Sequence, residues 1–146
     1  MSDIGQSQPR GLSGARVLVV EDHATTRRVL VRWLRRQGCE VHPAVNGVVA
    51  ATWLETAGNE VDLVLADLHM PGMSGAALAI CIRGGRAGRA DVPVVIVTAD
   101  AGCAAEQRLL AAGANAVLAK PIAIAALEAL LVSFLTPRGP VSSEPV

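Results

Sequence analysis

The chain contains no tyrosine, one phenylalanine and two tryptophans among 146 residues. An interior so poor in aromatic rings has to be filled by valine, leucine, isoleucine and alanine, and 51% of the residues are apolar. Such side chains suit a parallel sheet covered by helices. Cysteine is also scarce. Cys39, Cys81 and Cys103 are scattered, odd in number and without metal-ligand spacing, so they read as free thiols in a reducing cytosol. A chain of this length buries about 68–70% of its unfolded surface, so its core needs no disulfide or metal. Neither sign of charge is in excess, with 13 basic and 13 acidic side chains. That argues against a nucleic-acid-binding domain, which carries a basic excess. No apolar run is long enough to span a membrane. The stretch from Ile122 to Leu135 is too short and includes Glu128. The opening MSDIGQSQPRG lacks the apolar core of a signal peptide. The expectation is a cytoplasmic domain with no membrane and no nucleic-acid partner.

What the chain does have is organised around Val61-Asp-Leu-Val-Leu-Ala-Asp67-Leu-His-Met-Pro-Gly72. The apolar run Leu63 to Ala66 reads as a buried strand that ends on the carboxylate of Asp67. Pro71 and Gly72 then turn the chain. A carboxylate at the end of a parallel strand lies where open α/β sheets bind ligands.

The flanking sequence repeats one plan. Residues 1–14 read as a disordered lead-in, 15–135 as one domain, and 136–146 as a disordered tail or linker. A first strand, Arg16 to Val20, runs into Glu21 and Asp22. A helix from about Ala24 to Gln37 places Val29, Leu30, Trp33 and Leu34 on one face. Arg28, Arg32, Arg35 and Arg36 fall on the other, and Gly38 closes the helix. A short strand covers Cys39 to Ala44, and Asn46 caps a helix from Gly47 to Ala57. Ser74 caps a third helix, Gly75 to Arg83, and residues 84–91 read as a flexible surface loop. The β-branched Pro93 to Val97 forms a fourth strand ending on Thr98, Ala99 and Asp100. Helix Gly102 to Ala112, strand Ala116 to Ala119 and helix Ile122 to Leu135 complete the series. Five strand–helix units with short links predict an α/β fold, a parallel sheet with helices on both faces.

Four strands end on chemistry: Glu21 with Asp22, Asp67, Thr98 and Lys120. In a parallel sheet those ends share one edge. Two carboxylates about 4 Å apart repel by roughly 4 kcal/mol at an effective dielectric near 20. Lys120 offsets part of that. A hard divalent cation with oxygen ligands resolves the rest, which predicts Mg²⁺ and an anionic substrate group. A carboxylate facing a phosphoryl group can attack it, while Lys120 and the Thr98 hydroxyl steady the equatorial oxygens.

The segments V-L-V-V-E-D, D-L-V-L-A-D-L-H-M-P-G-M-S-G, P-V-V-I-V-T-A and A-G-A-N-A-V-L-A-K-P-I resemble the receiver domain of two-component response regulators. The resemblance covers about residues 15 to 135. It implies a flavodoxin-like (βα)5 domain with sheet order 2-1-3-4-5, and Asp67 as phosphoacceptor. Glu21, Asp22, Asp67 and the His69 backbone carbonyl would hold Mg²⁺ or Mn²⁺. Thr98 would be the switch hydroxyl, Lys120 the phosphoryl-binding lysine, and Lys120–Pro121 a cis peptide. The donor would be a phosphohistidine on a sensor histidine kinase or a histidine phosphotransfer protein. Such a domain catalyses its own phosphorylation and dephosphorylation. The A-G-A-N-A-V-L-A-K-P-I stretch is similar to receivers of hybrid sensor histidine kinases, so a receiver of that kind, or a stand-alone one, is expected.

The pattern departs from the family at three places. Val117 stands where the family carries a switching aromatic. His69, two residues past Asp67, is a candidate modulator of dephosphorylation. Ser74 replaces an acidic residue and caps its helix equally well. Asp100, directly after the fourth strand, is a further candidate modulator. The arginine face of the first helix is either a solvated surface or a docking surface for the donor. The weakly charged outer face of the last helix, with Ala125, Ala129, Val132 and Ser133, suggests a homodimer or intrachain contact through the fourth and fifth helices. Two other classes remain open: a flavodoxin-type small-molecule binder and a pseudo-receiver that serves only protein contacts.

Overall fold

The structure is a computed structural model, and it describes residues 12–56 and 58–135. The elements are β1 (Arg16–Val20), α1 (Ala24–Arg36), β2 (Glu40–Ala44), α2 (Gly47–Glu55) and β3 (Leu63–Asp67), then α3 (Gly75–Arg83), β4 (Val94–Thr98), α4 (Cys103–Ala112), β5 (Ala116–Ala119) and α5 (Ile124–Leu135). All strand pairings are parallel, and the sheet order is β2-β1-β3-β4-β5. This is the flavodoxin-like α/β architecture that the resemblance implies, and the parallel sheet with helices on both faces is the one predicted from the alternation of strands and helices.

Alternation along each strand divides the core into two layers, because successive side chains point to opposite faces. Leu18, Val20, Val64, Ala66, Val94 and Ile96 pack against α2, α3 and α4. Val17, Val19, Leu63, Leu65, Val95 and Val97 pack against α1 and α5. Both faces are covered, which is why the three inner strands are near-continuous apolar runs. On α5, Leu127 and Leu131 are fully buried, and Leu130 and Phe134 pack beside them.

Three local expectations are corrected. On α1 the buried residues are Leu30, Val31 and Leu34, whereas Val29 is 59% exposed. Val29 lies roughly 140° round the helix from Leu34, outside the arc that meets the sheet. Trp33 sits at the edge of that arc, half-buried. The segment 84–91 is a set of turns pinned to the body rather than a loose loop. Ala87 is fully buried, and Arg83 donates to the carbonyls of Ala90 at 2.9 Å and Val92 at 2.7 Å. At the N-terminal end, Leu12 is fully buried and Gly14 N–H donates to Gly38 O at 2.8 Å, so packing begins ahead of Ala15. The expected lead-in before residue 12, the tail from 136 and the last residue expected in α2, Ala57, lie outside the described residues.

Two glycines matter at the joints between helices and strands. Gly38, at φ +95°, ends α1 as predicted and turns the chain into β2. Gly75 opens α3, where an added Cβ would sit 2.6 Å from the Asp67 carbonyl oxygen. The lack of a side chain there lets α3 press directly against the end of β3. Gly75→Ala is expected to cost about 1–3 kcal/mol by overpacking, read as a lowered urea midpoint. An unchanged midpoint would mean that α3 can withdraw from Asp67 at no cost.

Candidate functional site

The parallel sheet brings the ends of β1, β3, β4 and β5 to one edge. Asp67 is the last residue of β3 and is 6% exposed. Its position is held from both sides: Leu68 N–H donates to Val97 O at 2.8 Å, and Gly75 N–H donates to Leu68 O at 2.9 Å. Ser74 caps α3, its hydroxyl accepting from Ala77 N–H at 3.1 Å. Lys120, just past β5, reaches Asp67 with Nζ 3.0 Å from Oδ1. Its own N–H donates to Thr98 O at 2.9 Å, and the Lys120–Pro121 peptide is cis.

The other carboxylates come from the β1 end. Glu21 is 3% exposed and Asp22 is exposed. One carboxylate oxygen from each of Glu21, Asp22 and Asp67 can be chosen so that all three lie within 4.8 Å of one another. Burial raises the pKa of Glu21 from its ordinary value. The His23 N–H that donates to its carboxylate opposes this, the charge of Asp67 adds to it, Lys120 opposes it, and Asp22 adds again. For Lys120, burial acts downward. The hydrogen bond to Asp67 and the charges of Asp67, Glu21 and Asp22 together outweigh it, so its pKa is raised.

Thr98 ends β4 and is fully buried. Its Oγ1 accepts from Asp100 N–H at 3.0 Å and lies 3.4 Å from Asp100 O. The hydroxyl therefore ties the end of β4 to the segment that leads into α4. Asp100 is exposed, and this backbone link is its connection to the site. His69 is exposed, and among the described residues no group donates to its carbonyl. Val117, paired with Ile96 on β4, is half-buried against the α2–α3–α4 layer.

Whether this site suits a metal depends on its donors. The three carboxylates face the ammonium of Lys120, and every ligand atom on offer is oxygen. That set matches the preference of Mg²⁺ for one or two carboxylates plus carbonyl, water and phosphate oxygens.

Two contributors are not marked in the sequence. His23 is the N-cap of α1, with Nδ1 accepting from Thr26 N–H at 3.4 Å. Histidine is not a favoured cap, so its only signal is its place between the acid pair and the helix. Arg27, one turn further on, sends Nη1 to the carbonyl of Glu21 at 2.9 Å. No local pattern marks that contact.

Comparison with known proteins places this geometry. The family model of the response regulator receiver domain matches residues 17–132, and the chain belongs to that family. It is a receiver domain of two-component signalling. It is 38% identical over 118 residues to the sensor histidine kinase RcsC of Salmonella typhi, covering 81% of this chain and 12% of that protein. It is 41% identical over 114 residues to the sensory/regulatory protein RpfC of Xanthomonas campestris, covering 77% of this chain and 15% of RpfC. The chain thus spans a small part of these relatives. Among solved structures, the receiver domain of sensor histidine kinase PA1611 from Pseudomonas aeruginosa, which has magnesium coordinated in its active-site cleft, superposes with TM-score 0.73 at 30% identity, covering 86% of this chain and 100% of that one. The receiver domain of Ssk1 from Saccharomyces cerevisiae, crystallised with the histidine phosphotransfer protein Ypd1, belongs to a structure that matches with TM-score 0.76 at 26% identity, covering 90% of this chain and 94% of that one.

The charge balance sets a pH response. The folded pKa of Glu21 is raised, so the folded state binds this proton more tightly than the unfolded chain does. Its stabilising effect is present at acid pH and is lost as pH rises through the raised value. Metal-free protein is therefore expected to gain less stability than otherwise from mild acidification once Glu21 is replaced by Gln, and Glu21→Gln should raise the urea midpoint at neutral pH. Lys120 acts at the other end: its contribution is complete below 10.5 and is lost as pH rises through its raised folded pKa. Lys120→Gln should remove that alkaline limb. Urea midpoints across pH in metal-free buffer check both signs.

Proposed function

We propose that Asp67 is the phosphoacceptor of a phosphorelay receiver, loaded from a phosphohistidine in a Mg²⁺-dependent reaction. The observation that carries this reading is the buried Asp67 carboxylate with Lys120 Nζ at 3.0 Å and two further carboxylates gathered beside it. A carboxylate oxygen of Asp67 attacks phosphorus. An oxygen–phosphorus bond forms, the bond to the donor imidazole nitrogen breaks, and its electron pair stays on that nitrogen. Glu21, Asp22, Asp67 and the His69 carbonyl are the groups that would hold Mg²⁺ or Mn²⁺, which when bound relieves the carboxylate repulsion and screens the incoming anion.

Lys120 pairs with a phosphoryl oxygen as its contact with Asp67 loosens. The Thr98 hydroxyl reorients from the weak 3.4 Å contact with Asp100 O toward the phosphoryl group. That movement pulls on the Asp100 backbone, which leads into α4. With Val117 replacing the switching aromatic, this direct tether carries the signal. Exposed His69 stands beside the phosphoryl group and sets its lifetime through the approach of water.

The donor is a sensor histidine kinase or a histidine phosphotransfer protein, a reading supported by the likeness to RcsC and to the Ssk1 receiver crystallised with Ypd1. Its docking surface is the arginine face of α1, where Arg27, Arg28, Arg32, Arg35 and Arg36 line a groove of about 550 Å³. A contact with a second copy or another domain uses α4 and α5, where Leu110 and Ile124 are exposed. The domain works in the cytoplasm; no helix among the described residues is long and apolar enough to cross a membrane.

Incubation with Mg²⁺ and phosphoramidate, followed by intact mass measurement, tests the reading. The native chain is expected to gain one phosphoryl group and Asp67→Asn none. Lys120→Ala and Thr98→Ala should each slow the gain by about 10²-fold or more, the usual loss when one charge-stabilising donor is removed. A native chain that binds Mg²⁺ yet stays unmodified would favour a pseudo-receiver that serves protein contacts alone.

A further inference from the structure

We infer that Arg27 is a positioning residue for the metal site: it fixes the main chain of Glu21 so that Glu21 and Asp22 face Asp67. The inference rests on the metal-site reading above and adds a residue to it. Glu21 is the first residue past β1, where the sheet ladder stops. Its N–H is still tied to the sheet, donating to Ala44 O at 3.1 Å. Its carbonyl lies beyond the ladder. Arg27 Nη1 supplies the missing bond at 2.9 Å, and among the described residues no other group donates to this oxygen.

A buried carbonyl without a donor is costly, and a backbone that can rotate to find water would carry both carboxylates with it. Glu21 is 3% exposed, so water has little access where the residue now sits. The neighbouring contacts tighten the same turn. His23 N–H donates to Glu21 Oε2 at 3.1 Å, and the His23 ring caps the helix that carries Arg27. Glu21, His23 and Arg27 thus form a closed loop of contacts across the β1–α1 turn, with Asp22 at its apex. Arg27 touches no ligand atom. It acts through the main chain of a residue that does, and outer partners of this kind set metal affinity by about 10–100-fold.

Arg28, which belongs to the proposed donor surface, is the control for Mg²⁺ affinity alone, since neither Mg²⁺ titration nor phosphoramidate involves a docked donor. It is the next residue, bears the same charge, and is exposed on the helix surface. A general loss of positive charge from α1 would affect both positions alike. A positioning role belongs to Arg27 alone.

The test is calorimetric titration of the full chain with Mg²⁺, alongside Arg27→Met, Arg27→Gln and Arg28→Met. Neither replacement at 27 has the reach of the guanidinium. Both Arg27 variants are expected to bind Mg²⁺ about 10–100-fold more weakly, with Arg28→Met within about twofold of native. In phosphoramidate reactions the Arg27 variants should need more Mg²⁺ for half-maximal rate, yet recover most of the rate at saturation. Thermal melts without metal identify a variant that has lost its fold, and the other substitution then decides. Native-like Mg²⁺ affinity in a folded Arg27 variant overturns the assignment. Failure of the native chain to bind Mg²⁺ overturns the metal-site reading and this inference together.

Discussion

Three carboxylates share a few ångströms of space at one edge of the sheet, with the ammonium of Lys120 against them. That repulsion is the constraint on which much of the local architecture depends. Left to themselves the acids would separate, protonate or turn to water. Asp67 cannot turn away, because the strand that ends on it is paired on both sides and α3 lies against its carbonyl. Glu21 has little room either, being buried and bonded at its N–H, carbonyl and carboxylate. The fold holds the acids together, and the resulting excess of negative charge is the feature on which the proposed metal and phosphoryl chemistry rests.

The same constraint explains the division of labour among the elements. Parallel pairing is required to bring four strand ends to one edge, and a parallel sheet needs helices on both faces. The apolar core is therefore split into two layers, each closing one face. Helices also begin at the site. α1 sends Arg27 and His23 back to the β1 end, α3 starts on Gly75 against Asp67, and α4 begins just beyond the Thr98–Asp100 contact. The Thr98–Asp100 backbone contact is the direct link between the end of β4 and the segment that leads into α4.

Most element boundaries are legible because they are written in local features: Asn46 and Ser74 as caps, Gly38 as a stop, and β-branched runs for the strands. The strand-end residues are legible for a related reason, since parallel topology converts position at the end of a run into position in space. Sequence pattern sets the buried face of α1 one notch out, with Val29 inward in place of Val31. Hydropathy alone cannot choose between two valines on either side of Leu30. The 84–91 segment looks loose by its glycines, yet Arg83 gathers it from outside and also reaches Gly113 O at 3.0 Å and Asn115 Oδ1 at 2.6 Å. One long side chain with several donors supplies the order that composition does not suggest.

By itself, then, the sequence determined the order of elements, the parallel sheet covered by helices on both faces and the set of groups that gather at the sheet edge. All three depend on periodicity and on what stands after each strand, which are properties of neighbouring residues. Tertiary structure alone decided that Arg27 meets the Glu21 carbonyl, that Gly75 lets α3 touch Asp67, and that Arg83 binds separate turns of the chain. Each is a contact whose existence depends on the angle at which a helix lies on the sheet. That angle is set by packing across the whole core and leaves no mark in the local pattern.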